Sequence, residues 1–175
     1  MQLTGNGFIL RNWQPGDEAS LQKHANNPNI SAMLLDRFPS PYTFEDAQAW
    51  VKMFENQEPI VNFTISINGE VVGGIGLNFR ADVYRKTPLL GYWLSESYWG
   101  KGIMPEAVKL ITNYTFEQLD AICIQALALS SNQKSMRVLE KAGYEKQGVL
   151  RNSVVKSGQI LDEHVFAISN PNISF

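Results

Sequence analysis

The sequence predicts a mixed α/β domain: a mostly antiparallel sheet with one parallel strand pair, flanked by helices. Three observations carry this. The strand-like runs Val61 to Ile67 and Val71 to Asn78 are joined by Asn68-Gly69, a dipeptide that favours a two-residue hairpin. The apolar run Leu89 to Leu94 leads through a long amphipathic helix to a second apolar run, Ala121 to Leu129. A strand–helix–strand crossover of this kind makes a parallel pair. The chain then closes on Tyr144 to Val155 and Ile160 to Ile168, two strands around the turn Lys156-Ser157-Gly158-Gln159.

The elements follow in order. Phe8 to Asn12 reads as a first strand, and Pro15 and Asp17 open a helix that Asn27-Pro28 ends. A second helix runs from Thr43 to Asn56, where Thr43 can cap and Asp46 completes a variant capping box. Gly73, Gly74 and Gly76 weaken the strand that holds them and mark a bulge or a close backbone approach. Arg80 to Pro88 is a polar loop. In the crossover helix, Ala107, Leu110, Ile111 and Tyr114 share one apolar face. Ala121 to Leu129 is almost continuously apolar, as expected of a strand buried on both faces. Asn132 caps a third long helix with Val138, Leu139 and Ala142 on its buried side, and Gly143 stops it. The expected order is β-α-α-β-β-β-α-β-α-β-β.

With 175 residues, 44% of them hydrophobic, the chain is expected to form a single domain over residues 1–175. A formal net charge of -2 gives no polyanion-binding signature, so no direct nucleic-acid partner is expected. The opening MQLTGNGF lacks the basic and apolar regions of a signal peptide, and no run is long enough to cross a bilayer. One cysteine, Cys123, and two histidines, His24 and His164, make neither a disulfide framework nor a zinc site, so no metal is expected. A reducing cytoplasm fits these features.

The segment GYWLSESYWGKG, Gly91 to Gly102, runs straight into IMPEAVKLITNYTFEQL. A strand that delivers a Gly-x-Gly loop to a helix N-terminus suits a phosphate-bearing ligand. The first-turn N–H groups are free, the helix dipole is positive there, and glycine lets the main chain come close. The dinucleotide fingerprint is excluded because no third glycine follows Gly102. A Walker loop is excluded because no Gly-Lys is followed by Ser or Thr.

The segment YWGKGIMPEAV resembles the coenzyme A loop of the GNAT superfamily of acetyl-CoA-dependent N-acetyltransferases, whose pattern Q/R-x-x-G-x-G/A falls on Trp99, Gly100, Lys101, Gly102, Ile103 and Met104. A second block, NQKSMRVLEKAGYEKQG from Asn132 to Gly148, is similar to the N-x-x-S block of the branch (RimJ/RimL-like) that acetylates N-terminal alanines of ribosomal proteins. The chain opening and PYTFEDAQAWV resemble the same branch. The resemblance implies the acyl-CoA N-acyltransferase fold, with a splayed parallel strand pair that holds the pantetheine arm. It also implies acetyl-CoA as co-substrate and a primary amine as acceptor, foremost a protein or peptide N-terminal α-amine. A polyamine or aminoglycoside acceptor, or a non-catalytic coenzyme A-binding module, stands as the alternative. A monomer or a homodimer is compatible with it.

Acetyl transfer needs a neutral amine, an oxyanion donor, a proton for the leaving thiolate and a fixed coenzyme. The main chain of Gly100 to Met104 is expected to cradle the pyrophosphate. Lys101 either adds charge or is a solvated loop residue. The sequence departs from the family pattern at Trp99, where Gln or Arg is usual, at Met104, where Gly or Ala is usual, and at Pro105, which has no N–H to donate. The resemblance assigns the acetyl oxygen to the backbone of Trp93 and Leu94. It assigns the thiolate to Ser135, because Leu139 replaces the tyrosine that many members use as acid. Asn132 caps its helix and, in the resemblance, also contacts the pantetheine. Glu96 is the carboxylate nearest the acetyl site in sequence and the candidate base. Leu34 to Tyr42 and Arg151 to Lys156 would wall the acceptor site. Cys123 reads as a strand core residue.

Overall fold

The computed structural model describes residues 1–173. Its elements are β1 (Gln2–Gly5), β2 (Phe8–Arg11), α1 (Glu18–Ala25), α2 (Pro28–Ser31), α3 (Phe44–Phe54), β3 (Asn62–Ile67), β4 (Glu70–Asn78), β5 (Leu89–Leu94), α4 (Ile103–Gln118), β6 (Cys123–Leu129), α5 (Gln133–Lys141), β7 (Glu145–Lys156) and β8 (Gln159–Ser169). The strands form one eight-stranded sheet in the order β1-β2-β3-β4-β5-β6-β8-β7. β5 and β6 are parallel, with Leu89 opposite Gln125 and Leu90 opposite Ala126. The hairpins β1–β2, β3–β4 and β7–β8 are antiparallel, as are the pairs β2–β3 and β6–β8. This is the mixed α/β architecture that the sequence leads one to expect. No helix among the described residues is long and apolar enough to cross a membrane.

The chain divides into two compact units, residues 1–76 with 92–107, and residues 77–91 with the chain from Val108 onward. In the first, Trp13, Leu21, Ala25, Tyr42, Ala47 and Val51 pack into one buried cluster with Val71 of β4. Phe38, Trp50, Phe54 and Trp93 close over it. Thr43 and Asp46 complete the capping box of α3, with Asp46 N–H to Thr43 Oγ1 at 3.2 Å and Thr43 N–H to Asp46 Oδ2 at 2.9 Å. Asn68 and Gly69 both take positive φ, 51° and 83°, the turn geometry that matches the twist of two antiparallel strands. In the second unit, Ile111 of α4 and Met136 and Leu139 of α5 are buried, as are Ile124 of β6 and Phe166 of β8. Gly143 at φ 94° ends α5, and Tyr144 N–H returns to Leu139 O at 3.0 Å.

Three sequence expectations need correction. β1 is an additional strand, paired with β2 through a hairpin at Asn6-Gly7 where Gly7 has φ 80°. α2 is a short additional helix: Asn27 ends the preceding segment yet also caps the next turn by accepting from Asn29 N–H at 2.8 Å. β6 is not buried on both faces. Ile124, Ala126 and Ala128 are buried while Leu127 is 43% exposed, so the part of the sheet where β6 pairs with β8 is covered on one face only.

The glycines of β4 mark a close approach. A Cβ on Gly73 would stand 2.6 Å from the Trp93 carbonyl oxygen, and one on Gly74 2.8 Å from the Trp93 indole nitrogen. Gly73→Ala is therefore expected to lower stability by about 1–3 kcal/mol, since the obstacle is backbone and must move. Urea unfolding checks this, and an unchanged midpoint would count against the close approach.

Candidate functional site

β5 ends under several constraints within the first unit. Ser95 N–H donates to Val72 O at 2.8 Å, holding the strand end on β4. A 3₁₀ turn, Glu96–Tyr98, follows, closed by Tyr98 N–H to Ser95 O at 2.9 Å and Trp99 N–H to Glu96 O at 3.1 Å. The Trp99 indole N–H then reaches back to Leu94 O at 2.7 Å. Trp99, which stands where the family pattern has Gln or Arg, thus ties the loop to the strand end.

Gly100 and Gly102 both have positive φ, 75° and 79°, and a Cβ at either would meet no atom within 4 Å. The space beside the loop is open. α4 starts at Ile103, whose side chain is buried with that of Met104, so these two residues anchor the helix while their backbone lies in its first turn. First-turn N–H groups have no intrahelical partner. Lys101 is exposed, with its ammonium 5.0 Å over the Tyr98 ring, a cation–π contact that rests it on the turn.

The turn is braced from α1 and α2. Glu96 is exposed, and its carboxylate accepts from Asn27 Nδ2 at 2.7 Å and from Asn29 Nδ2 at 3.1 Å. Residue 96, the sequence candidate for the base, therefore also links the turn to α2. His24 has a role that the sequence does not reveal. Its Nδ1 is 2.9 Å from Ser95 Oγ, and its Nε2 is 3.1 Å from Glu70 Oε1, at ion-pair distance without hydrogen-bond alignment. Lys23 also donates to Glu70, and this hydrogen bond, followed by the contact with His24, pulls the Glu70 carboxyl below its ordinary range. The imidazole thus spans from the first residue of β4 to the first residue after β5. No local signal announces a contact between residues 71 positions apart.

The second unit carries Asn132 and Ser135. Asn132 Oδ1 accepts from Ser135 N–H at 3.1 Å, so the N-cap expected from sequence is formed and Ser135 stands half-buried in the first turn of α5. Burial is the largest influence on the Cys123 thiol and pushes its pKa up, outweighing the lowering by Ser169 and Arg80. A thiol so placed is a poor nucleophile at neutral pH. His164 Nδ1 is buried without a partner among the described residues.

Residues 8–145 match the family model described as the acetyltransferase (GNAT) domain. The chain belongs to the GNAT family. It is 45% identical over 87 residues to the probable N-acetyltransferase YjcK of Bacillus subtilis, a match that covers 50% of this chain and 48% of that protein. The matched stretch thus spans about half the length of this relative. Among solved structures, a GNAT-family acetyltransferase from Bacillus anthracis superposes with a TM-score of 0.83 at 21% identity, covering 97% of this chain and 99% of that one. RimL, a ribosomal L7/L12 α-N-protein acetyltransferase solved in complex with coenzyme A, gives 0.82 at 18% identity, covering 97% and 98%. At these identities the two structures establish the shared fold.

Trp99→Phe keeps an aromatic ring, though one smaller than the indole, and removes the donor to Leu94 O. It is expected to cost about 1 kcal/mol of stability and to speed amide exchange across residues 95–100. Unaltered exchange in a folded Trp99→Phe protein would show that the indole hydrogen bond does not hold the loop.

Proposed function

We propose that this chain transfers an acetyl group from acetyl-CoA directly to a primary amine, foremost the α-amine of a protein or peptide N-terminus. The observation that carries this reading is the β5–loop–α4 passage. Two glycines at positive φ bring bare main chain and a helix N-terminus together beside open space. That arrangement fits a pyrophosphate, whose charge the first-turn N–H groups and the helix dipole would stabilise. Gly100 to Met104 would hold the coenzyme, and the backbone of Trp93 and Leu94 would receive the acetyl oxygen. Asn132 and Ser135 are assigned to the pantetheine and the departing sulfur on the family resemblance. The coenzyme A complex of RimL supports the ligand class, and the L7/L12 specificity in its name supports an N-terminal acceptor.

The chemistry of the acceptor points the same way. An α-amine with a pKa near 8 is about one-tenth neutral at pH 7, whereas a lysine amine near 10.4 is neutral in about one molecule in several thousand. A site whose candidate base is a carboxylate, Glu96, handles the first more readily. The elevated Cys123 thiol pKa argues against a covalent acetyl-cysteine and for transfer within a ternary complex.

Gly102→Ala forces a side chain into a left-handed conformation that costs about 1–2 kcal/mol. The loop is expected to relax and coenzyme A affinity to fall about tenfold, read by calorimetry on the folded variant. Unchanged affinity would remove the loop from the coenzyme site. For the acceptor, peptides with a free α-amine are compared with matched peptides that have a blocked α-amine and a free lysine. The free α-amine set is expected to be acetylated faster, and Cys123→Ala to retain that activity. Preference for the blocked set, or turnover of polyamines or aminoglycosides alone, would overturn the acceptor assignment.

A further inference from the structure

Within the second unit, β7 and β8 depart from regular pairing at one place. Leu150 lies opposite Glu163 and Val154 opposite Leu161, so Arg151, Asn152 and Ser153 face the single residue Asp162. Asn152 takes φ 50° in this bulge. Asp162 holds the corner together. Its Oδ1 accepts from Asn152 N–H at 2.8 Å, its Oδ2 is 3.8 Å from Arg151 Nη1, and its carbonyl accepts from Ser130 N–H at 2.9 Å. Ser130 follows β6 directly and leads into Asn132, the N-cap of α5. A bulge of this kind re-aims side chains and is common beside active sites.

Glu163 stands next to this corner, on the middle strand of β6-β8-β7, opposite Leu129 and Leu150. Side chains alternate along a strand. The neighbouring position, His164, shares its face with buried Phe166 and Ala128. The face of Glu163 is the open one, where Leu127 is 43% and Leu150 51% exposed. The Glu163 carboxylate has no hydrogen bond or ion pair among the described residues, and burial pushes its pKa up. The charged groups around it are Asp162 and Arg151, which face each other, and Arg80, whose guanidinium binds Gln125 Oε1 at 2.9 Å farther along the β6 face. A half-buried carboxylate without a partner is costly, and an ammonium on this apolar face would satisfy it.

We propose that Glu163 is a catalytic residue that receives the acceptor amine and takes its proton. The inference rests on the N-acetyltransferase reading above. Bound opposite Glu163, the ammonium gives one proton to the carboxylate, and the freed lone pair forms the C–N bond to the acetyl carbonyl. The C–S bond breaks with its electron pair on sulfur. The nitrogen loses a second proton, the sulfur gains one to leave as thiol, and Glu163 returns its proton to water. The sum is ammonium plus thioester going to amide, thiol and one released proton. Its raised pKa makes Glu163 a stronger base than an ordinary exposed carboxylate.

The test is Glu163→Gln on the full chain, assayed with acetyl-CoA and two acceptors, a peptide with a free α-amine and spermidine. On whichever amine the unaltered protein acetylates, kcat/KM at pH 7 is expected to fall about a hundredfold. The shape of the pH profile should also change. With Glu163 present, kcat/KM forms a plateau between the carboxylate limb and the amine pKa. In the variant it climbs about tenfold per pH unit toward the amine pKa, because only pre-formed neutral amine reacts. Coenzyme A affinity and thermal midpoint should hold, which separates this role from damage to the fold. An unchanged rate with the same plateau overturns the proposal. Activity on spermidine alone overturns the α-amine assignment and leaves Glu163 to be judged on spermidine. Turnover of neither amine overturns both.

Discussion

The candidate coenzyme loop depends on how β5 ends. Gly73 admits the Trp93 carbonyl against β4, Val72 O takes the Ser95 N–H, and the Trp99 indole closes onto Leu94 O. These contacts set the direction in which the chain leaves the sheet and therefore where Gly100, Gly102 and the first turn of α4 stand. His24 adds a fourth tie through Ser95, and Glu96 a fifth through Asn27 and Asn29. A loop that must present bare main chain to an anion gains from such ties, because ordering is completed before the ligand arrives. The parallel ladder of β5 and β6 covers two residue pairs, and β5 continues four residues beyond it to Leu94.

Much of the fold is legible in sequence where the signal is local. Asn68-Gly69 specifies its hairpin, Thr43 and Asp46 their capping box, Asn132 its N-cap and Gly143 its helix stop, each through bonds that span a few residues. The glycines of β4 also signal a close approach, although only the structure shows that Trp93 is what approaches. β1 is harder to read because its four residues, Gln2–Gly5, alternate between exposed and half-buried positions and carry little apolar signal. The open face of β6 is invisible to hydropathy, since a run of apolar residues looks the same whether one face or two are covered.

The candidate residues divide along the same line. The Gly-x-Gly loop and the Asn132–Ser135 turn are contiguous motifs and can be found by reading along the chain. The residues that brace or surround them come from distant elements. His24 meets Ser95 and Glu70 only after α1, β4 and β5 assemble, and Asp162 shapes the β7 bulge through contacts to Asn152 and Ser130. Proximity in sequence favours Glu96 as the base. The structure gives Glu96 two amide donors and, among the described residues, leaves Glu163 as an unpaired carboxylate on an open face, a distinction that depends on partners and not on residue type.

The end of β5, the glycine loop and the start of α4 are proposed to form the coenzyme site. Titration of the isotopically labelled protein with coenzyme A, followed through backbone amide resonances, tests it most directly. The largest and saturable shifts are expected on the amides of Gly100, Lys101, Gly102, Ile103 and Met104, with Trp93 and Leu94 following. Saturable shifts elsewhere, with these amides unmoved, would contradict it.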